Sequence, residues 1–234
     1  MVPVVMIAAG VLFATSAHTA QGTDLRNDRR FELSQLIEER KRDVDTLEGT
    51  ASRLRRDVDA STGSQATSDA RIAEQQRRLD EEKQGAGLTA LAGRGLAVRL
   101  DDAPRRPDGA RPADARADDL VVHQQDVQAV VNALWAGGAE AMTIMGQRII
   151  GTSAVRCVGN TLLLQGQVYS PPFVIKAIGD PKRLRSALDA EPGVQFFQRD
   201  ARDYGLGYSV TDESEILAPA YTGSTDLSSA EVAK

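Results

Sequence analysis

The residues best equipped for chemistry cluster in the second half of the chain. His123, Asp126, Asn132, Glu140, Gln147 and Arg148 are set among apolar neighbours. A histidine acting as general base needs a nucleophile to activate or an acid to orient it. His123 has Asp126 three residues on, within helical reach, but no Gly-x-Ser-x-Gly or comparable nucleophile pattern occurs. Asp126 and Asn132 are six apart, so a helix would turn them to different faces. Arg148 and Glu140 flank a turn and could pair across a hairpin. The plainer reading of these polar residues is a buried hydrogen-bond network holding a helix to a sheet. The sharper one is a ligand or partner groove built from Asn132, Gln147 and Arg148.

Other chemistries fail on residue type or spacing. One cysteine, Cys157, allows neither an internal disulfide nor a cysteine-based zinc site. It lies in a strand-like run and reads as a structural thiol. The adjacent pairs Asp101-Asp102 and Asp118-Asp119 read as strand and helix terminators. Gly93-Arg94-Gly95 and Gly205-Leu206-Gly207 lack the spacing of a dinucleotide or phosphate loop. No catalytic, cofactor-binding or metal-binding residue is therefore expected, and the chain reads as a non-enzyme. A net charge of −5 argues against a general nucleic-acid role.

The positioning elements begin with a long helix. From Leu33 onward, Ile37, Val44, Ala51 and Val58 fall on one heptad phase, and Leu33, Leu47 and Leu54 on the phase three residues later. Such a narrow apolar stripe must be buried against another helix. The expected interface is therefore Leu33, Ile37, Val44, Leu47, Ala51, Leu54 and Val58, within a coiled-coil stalk over 24–84. Ile72 and Leu79 continue the phase weakly, with Ser61-Thr62-Gly63-Ser64 as the expected break. Residues 24–84 hold 15 acidic and 13 basic side chains, a solvated helix exterior. Glu38 with Arg42, and Glu74 with Arg78, have the favourable i,i+4 polarity, each worth about 0.3–0.5 kcal/mol.

Ahead of the stalk, residues 1–17 carry no charged side chain. Three readings are open: a signal anchor over about 1–20, a cleaved signal peptide, and a buried core helix. The anchor is preferred, and with it a single-pass plasma-membrane protein. Arg26, Arg29 and Arg30 follow this segment, which by the positive-inside rule alone would leave the rest of the chain in the cytoplasm. A basic leader before Val2 would reverse this, and the C-terminal domain is expected outside the cytoplasm on that basis.

Residues 88–217 read as a compact α+β domain with a mainly antiparallel sheet. Leu96–Leu100 alternates as a strand. Residues 103–117, rich in Pro, Arg and Asp, read as a flexible loop. A helix is expected from Asp118 or Asp119 to Gly137-Gly138, carried by Val122, Val127, Val130, Val131, Leu134 and Trp135. Strands follow at 139–145 and 147–150, then a hairpin, 153–158 and 161–165, turning on Gly159-Asn160. Pro171-Pro172 makes a bend before a strand at 173–178. Asp180 caps a helix that has Pro181 in its first turn and stops near Pro192-Gly193. A second helix carries Val194, Phe197, Ala201 and Tyr204. A last strand spans 205–212, and 218–234 reads as a disordered tail.

These stretches carry a resemblance. Leu120-Val121-Val122-His123-Gln124-Gln125-Asp126-Val127, Asn132-Ala133-Leu134-Trp135 and Gly146-Gln147-Arg148-Ile149 look like the family called domain of unknown function 881, the YlxW-like proteins of actinobacteria and Firmicutes. Cys157-Val158-Gly159-Asn160 and the run from Pro171 to Asp180 extend the likeness. The family pattern has a polar residue, often Asn, where this chain has Met145. The resemblance implies an envelope protein, often associated with loci for cell division or wall synthesis, and supplies no activity or cofactor.

The expected function is a membrane-anchored scaffold of the bacterial envelope, pairing through its coiled coil with itself or a related chain and binding envelope or division proteins. The alternative is a sensor domain that binds a small ligand in the Asn132, Gln147 and Arg148 groove.

Overall fold

A computed structural model describes Met6 and residues 25–66, 70–105 and 115–225. The expected anchor, apart from Met6, lies outside the described residues, as do 106–114 of the expected loop and 226–234 of the expected tail. No helix among the described residues is long and apolar enough to cross a membrane. The chain divides into two compact units, 1–57 and 58–234.

Helix α1 runs from Leu25 to Ala66, 42 residues or about 63 Å of rise. Within 1–57 it is the described element, and its heptad seam faces solvent. Ile37 is 59% exposed, Leu47 68% and Leu54 55%. Its exterior is tied by local contacts, Arg40 to Asp43 at 3.3 Å and Thr46 Oγ1 to the Arg42 carbonyl at 2.7 Å. Arg42 does not pair with the Glu38 carboxylate as expected; its Nε donates to the Glu38 carbonyl instead. The expected break at 61–64 is also corrected. The helix passes through Gly63 to Ala66, because one glycine costs only about 1 kcal/mol in a helix.

In the second unit, α2 spans Ala70–Gly85. Glu74 holds both Arg77 and Arg78, the latter as the sequence pattern requires. Lys83 reaches back to Asp59 at 2.6 Å. The helix ends in a Schellman motif: Leu88 N–H donates to the Lys83 carbonyl, Gly87 N–H to that of Gln84, and Gly87 takes φ +77°.

The domain that follows is α+β, with every strand pair antiparallel. A five-stranded sheet has the order β3-β2-β7-β1-β8, built from Leu91–Asp101 (β1), Ala141–Ile144 (β2), Gln147–Ile149 (β3), Phe173–Ile178 (β7) and Gly207–Ala218 (β8). A three-stranded meander joins Arg156–Val158 (β4), Thr161–Leu164 (β5) and Gln167–Tyr169 (β6). Alternation decides which sheet face is buried. Leu96, Val98, Leu100, Met142, Ile144, Phe173 and Ile175 point to one side and enter the main core. Three helices, α3 (Gln124–Ala136), α4 (Pro181–Ala190) and α5 (Pro192–Tyr204), pack onto that side, and the meander adds Leu162 and Leu164.

Several boundaries differ from the sequence reading. β1 starts at Leu91 and β8 runs on to Ala218, because the two pair across nearly their whole lengths around a bulge at Gly93–Gly95. Hence 213–218, expected past the last strand or in the tail, are sheet. Helix α3 starts at Gln124, with His123 as N-cap, because the Asp126 carboxylate accepts the His123 N–H at 2.8 Å. Asp118 and Asp119 instead sit in a 3₁₀ turn, where Asp119 accepts the Arg116 N–H. Val122, just before the cap, and Val127 are both buried, the arrangement of a hydrophobic staple. Pro192 and Gly193 do not only stop α4; they form the first turn of α5.

Candidate functional site

The sequence-derived groove residues separate in space. Asn132 lies on the exposed side of α3 and accepts a hydrogen bond from Gln128 Nε2 at 2.8 Å. Gln147 pairs in register with Ile144 and so shares the face that meets the helices. Arg148 pairs with Thr143 and faces the opposite way. Asn132 stands on the solvent side of a helix, and Gln147 and Arg148 point to opposite faces of the sheet, so the three do not line a single groove. The physical reason is the strand period of two, which sends neighbours Gln147 and Arg148 apart.

Arg148 has a different partner set from the one expected. It makes no ion pair with Glu140. Its side chain is 4% exposed, and Nη1 donates to the carbonyls of Thr89 at 3.3 Å and Pro219 at 3.1 Å. Its own carbonyl accepts from Gln165 Nε2 at 2.7 Å. Nε is buried without a partner, and no carboxylate among the described residues forms an ion pair with this guanidinium. Burial draws its pKa down from the ordinary arginine value.

Arg148 therefore binds backbone from two distant segments, one just before β1 and one just after β8. Tyr221 N–H closes the gap between them by donating to the Gly87 carbonyl at 2.9 Å. Gly87 is required on two counts. Its φ is positive, and a Cβ there would lie 2.6 Å from Ile150 Cγ2. The Schellman cap of α2, the Arg148 guanidinium and the start of the C-terminal segment thus meet at one clasp. The sequence shows Arg148, and shows Gly85-Ala86-Gly87 as the end of the helical pattern, but not Thr89 or Pro219, because backbone acceptors carry no residue-type signal.

The remaining polar groups are structural in geometry. His123 Nε2 donates to the Asp118 carbonyl at 2.8 Å. Burial raises the Asp126 pKa, opposed by the His123 N–H that its carboxylate accepts. Cys157 is half-buried, and its N–H donates to Gln124 Oε1. Burial raises its thiol pKa, which keeps it away from the reactive thiolate. No group of three or more His, Cys, Asp or Glu converges among the described residues. An open cleft of about 430 Å³ is lined by Arg94, Asp180, Lys182, Arg185 and Asp212. Four of its charges are paired, Arg185 to Asp212 at 3.0 Å and Arg94 to Asp180 at 4.0 Å.

Comparison with known proteins fixes the family. The model of a bacterial protein of unknown function, DUF881, matches residues 78–231. The chain belongs to the DUF881 family. The UPF0749 protein Rv1823 of Mycobacterium tuberculosis is 30% identical over 145 residues, covering 61% of this chain and 47% of that protein. The UPF0749 protein YlxW of Bacillus subtilis is 32% identical over 108 residues, covering 46% of this chain and 45% of that protein. The chain thus spans about half the length of these relatives. A crystal structure of an uncharacterized conserved protein from Mycobacterium tuberculosis aligns with 67% of this chain and 99% of that one, at 24% identity and a TM-score of 0.49.

The DUF881 pattern also explains Met145. Met145 and Gly146 form the two-residue turn between β2 and β3, with φ +52° and +82°. Two positive φ values define a type I′ turn, for which Asn-Gly is the preferred pair. Asn, which the family resemblance implies at this position, suits that backbone conformation. Met145→Asn is expected to relieve about 1 kcal/mol of left-handed strain. That raises the thermal midpoint by about 2–4 °C in calorimetry. A fall would mean that the Met145 thioether, which accepts the Val174 N–H at 3.3 Å, outweighs the turn.

Proposed function

We propose that this DUF881 protein is a non-enzymatic scaffold of the bacterial cell envelope, anchored in the plasma membrane and associating through α1. Its α+β domain stands outside the cytoplasm and presents a surface to division or wall-synthesis proteins. The observation that carries this reading is the apolar seam on α1. Ile37, Leu47, Leu54 and Val58 recur at heptad spacing and are each more than half exposed. A lone exposed leucine needs no explanation, but a sustained stripe on one helix face does. The uncharged segment 1–17 supports the anchor, and the family resemblance supports the envelope setting.

The test is topology. A compartment-specific reporter is fused after Lys234, and intact cells are shaved with protease, with the arginine-rich stretch 103–117 as the expected cutting site. Reporter activity outside the cytoplasm, with cleavage in intact cells, is the expected result. A reporter active only in the cytoplasm, on a chain cut only after lysis, would mean that Arg26, Arg29 and Arg30 hold the domain inside, and the envelope-scaffold reading would fall.

The sensor alternative needed Asn132, Gln147 and Arg148 to converge. With those side chains on separate faces, no observation favours it.

A further inference from the structure

We infer that the occupant of the exposed α1 seam is a second copy of this chain running antiparallel, centred between residues 45 and 46. This rests on the self-association proposed above and adds its direction and register.

Charge distribution separates the arrangements. In a parallel in-register pair, each core layer joins a residue to its own copy, so Arg40 meets Arg40. The flanking positions then set Asp43 against Glu48 of the second copy, twice by symmetry. No flanking pair of opposite sign compensates. A stalk read this way is penalised at its middle.

In an antiparallel pair, residues from the two heptad phases face one another, and each flanking position meets its own kind. Centred as stated, Ile37 layers with Leu54 of the second copy and Val44 with Leu47. Arg40 lies opposite Ala51, a small residue that leaves room for the guanidinium to reach solvent past its own Asp43, its 3.3 Å partner. At the flank, Lys41 meets Glu48 of the second copy, and by symmetry this favourable contact occurs twice. On the other flank Asp43 meets Thr50. No like charges face each other.

Neighbouring registers fail. Sliding one helix by a heptad in one direction sets Lys41 against Arg55, Glu48 against Glu48 and Asp43 against Asp57. Sliding it the other way sets Lys41 against Lys41 and Asp43 against Asp43. Of the three antiparallel registers, only the centred one satisfies both the apolar layers and the charges. Lys41 is exposed and Glu48 half-buried in the single chain, so both are placed to make the contact. The pair sets Leu33 of the two copies about 38 Å apart along the helix axis.

The test uses the full chain in detergent, in a Cys157→Ser background. Chains carrying Ile37→Cys are mixed with chains carrying Leu54→Cys and mildly oxidised; Ile37→Cys is also oxidised alone, since its two copies lie about 26 Å apart along the axis in the antiparallel pair and side by side in a parallel one. The expected result is a mixed 37–54 disulfide dimer and little Ile37→Cys dimer. An Ile37→Cys dimer without the mixed product would establish a parallel pair and overturn the antiparallel register, leaving self-association standing. Neither product, with a monomeric mass in solution, would overturn self-association as well. A second readout guards against a cysteine variant that merely perturbs the helix. Lys41→Glu is expected to weaken the dimer by about tenfold, and Lys41→Glu with Glu48→Lys to restore it to within about threefold. In the parallel pair Lys41 faces Leu36, so equal affinity of Lys41→Glu and the native chain would also overturn the proposal.

Discussion

Replacing Arg148 with alanine is expected to lower the thermal midpoint of the α+β domain by about 10 °C. The estimate comes from what the guanidinium touches. Each hydrogen bond from a charged group contributes about 1.5–3 kcal/mol, and Nη1 makes two, to the Thr89 and Pro219 carbonyls. Truncation also leaves a void where a side chain 4% exposed had packed. Against this stands the cost of keeping a cation buried with no carboxylate beside it, which the native protein carries and the variant does not. The balance favours a net loss of about 3 kcal/mol, which for a domain of this size moves the midpoint by about 6–12 °C.

The location of the effect is as informative as its size. Hydrogen exchange should speed up at Gly87–Leu91 and Ile216–Tyr221 while the core strands β2 and β7 keep their protection. Arg148→Lys should behave nearly as badly as alanine, since an ammonium lacks the planar fork of donors. An unchanged midpoint with normal protection in both segments would mean that strand pairing between β1 and β8 closes the domain without the clasp.

The clasp shows where sequence reasoning stops. The polar residues were legible as polar, and the strand carrying Gln147 and Arg148 was legible as a strand. That neighbours Gln147 and Arg148 point apart follows from the strand period of two and was open to the sequence. Which of them faces the helices, and which backbone carbonyls meet Arg148, depends on pairings between distant residues, and spacing along one chain does not encode those. Local devices were read well for the opposite reason. Asp180 does cap α4, accepting the Lys182 and Arg183 N–H groups at 2.9 and 3.0 Å. The Gly159-Asn160 hairpin and the strand Phe173–Ile178 are where the sequence pattern puts them. Each is decided by residues within a few positions of one another.

Two elements were misread for different local reasons. Strand β6 was missed because Gln165-Gly166 is not a familiar turn pair, yet it has φ +51° and +83° and makes a second type I′ turn. The start of α3 was placed early because Asp118 and Asp119 stand just before Val122 and either could cap a helix. The N-cap is His123, whose N–H is held by the Asp126 carboxylate inside the helix, with Val122 buried just outside it.

The largest effect of all is expected at the stalk. Leu47→Asp with Leu54→Asp should abolish self-association of the full chain. Both leucines stand on the seam, 68% and 55% exposed in the single chain, so the substitutions cost the isolated helix little. In a pair of chains the double substitution affects four side chains. Burying a leucine contributes about 1.5–3 kcal/mol, so four of them account for at least 6 kcal/mol. Four carboxylates brought into apolar layers add a desolvation cost of several kcal/mol more. A dimer of micromolar affinity is held by only about 8 kcal/mol. The loss therefore exceeds what such a dimer has, and sedimentation should return a monomer at every accessible concentration. Thr46→Asp with Ser52→Asp, two residues off the heptad seam, supplies the control: equal added charge and an unchanged dimer. If the seam variant still crosslinks like the native chain, the heptad stripe is not the interface. Association would then have to run through the α+β domain, where Phe196 on α5 is 53% exposed with Arg199 lying 5.2 Å from its ring centre.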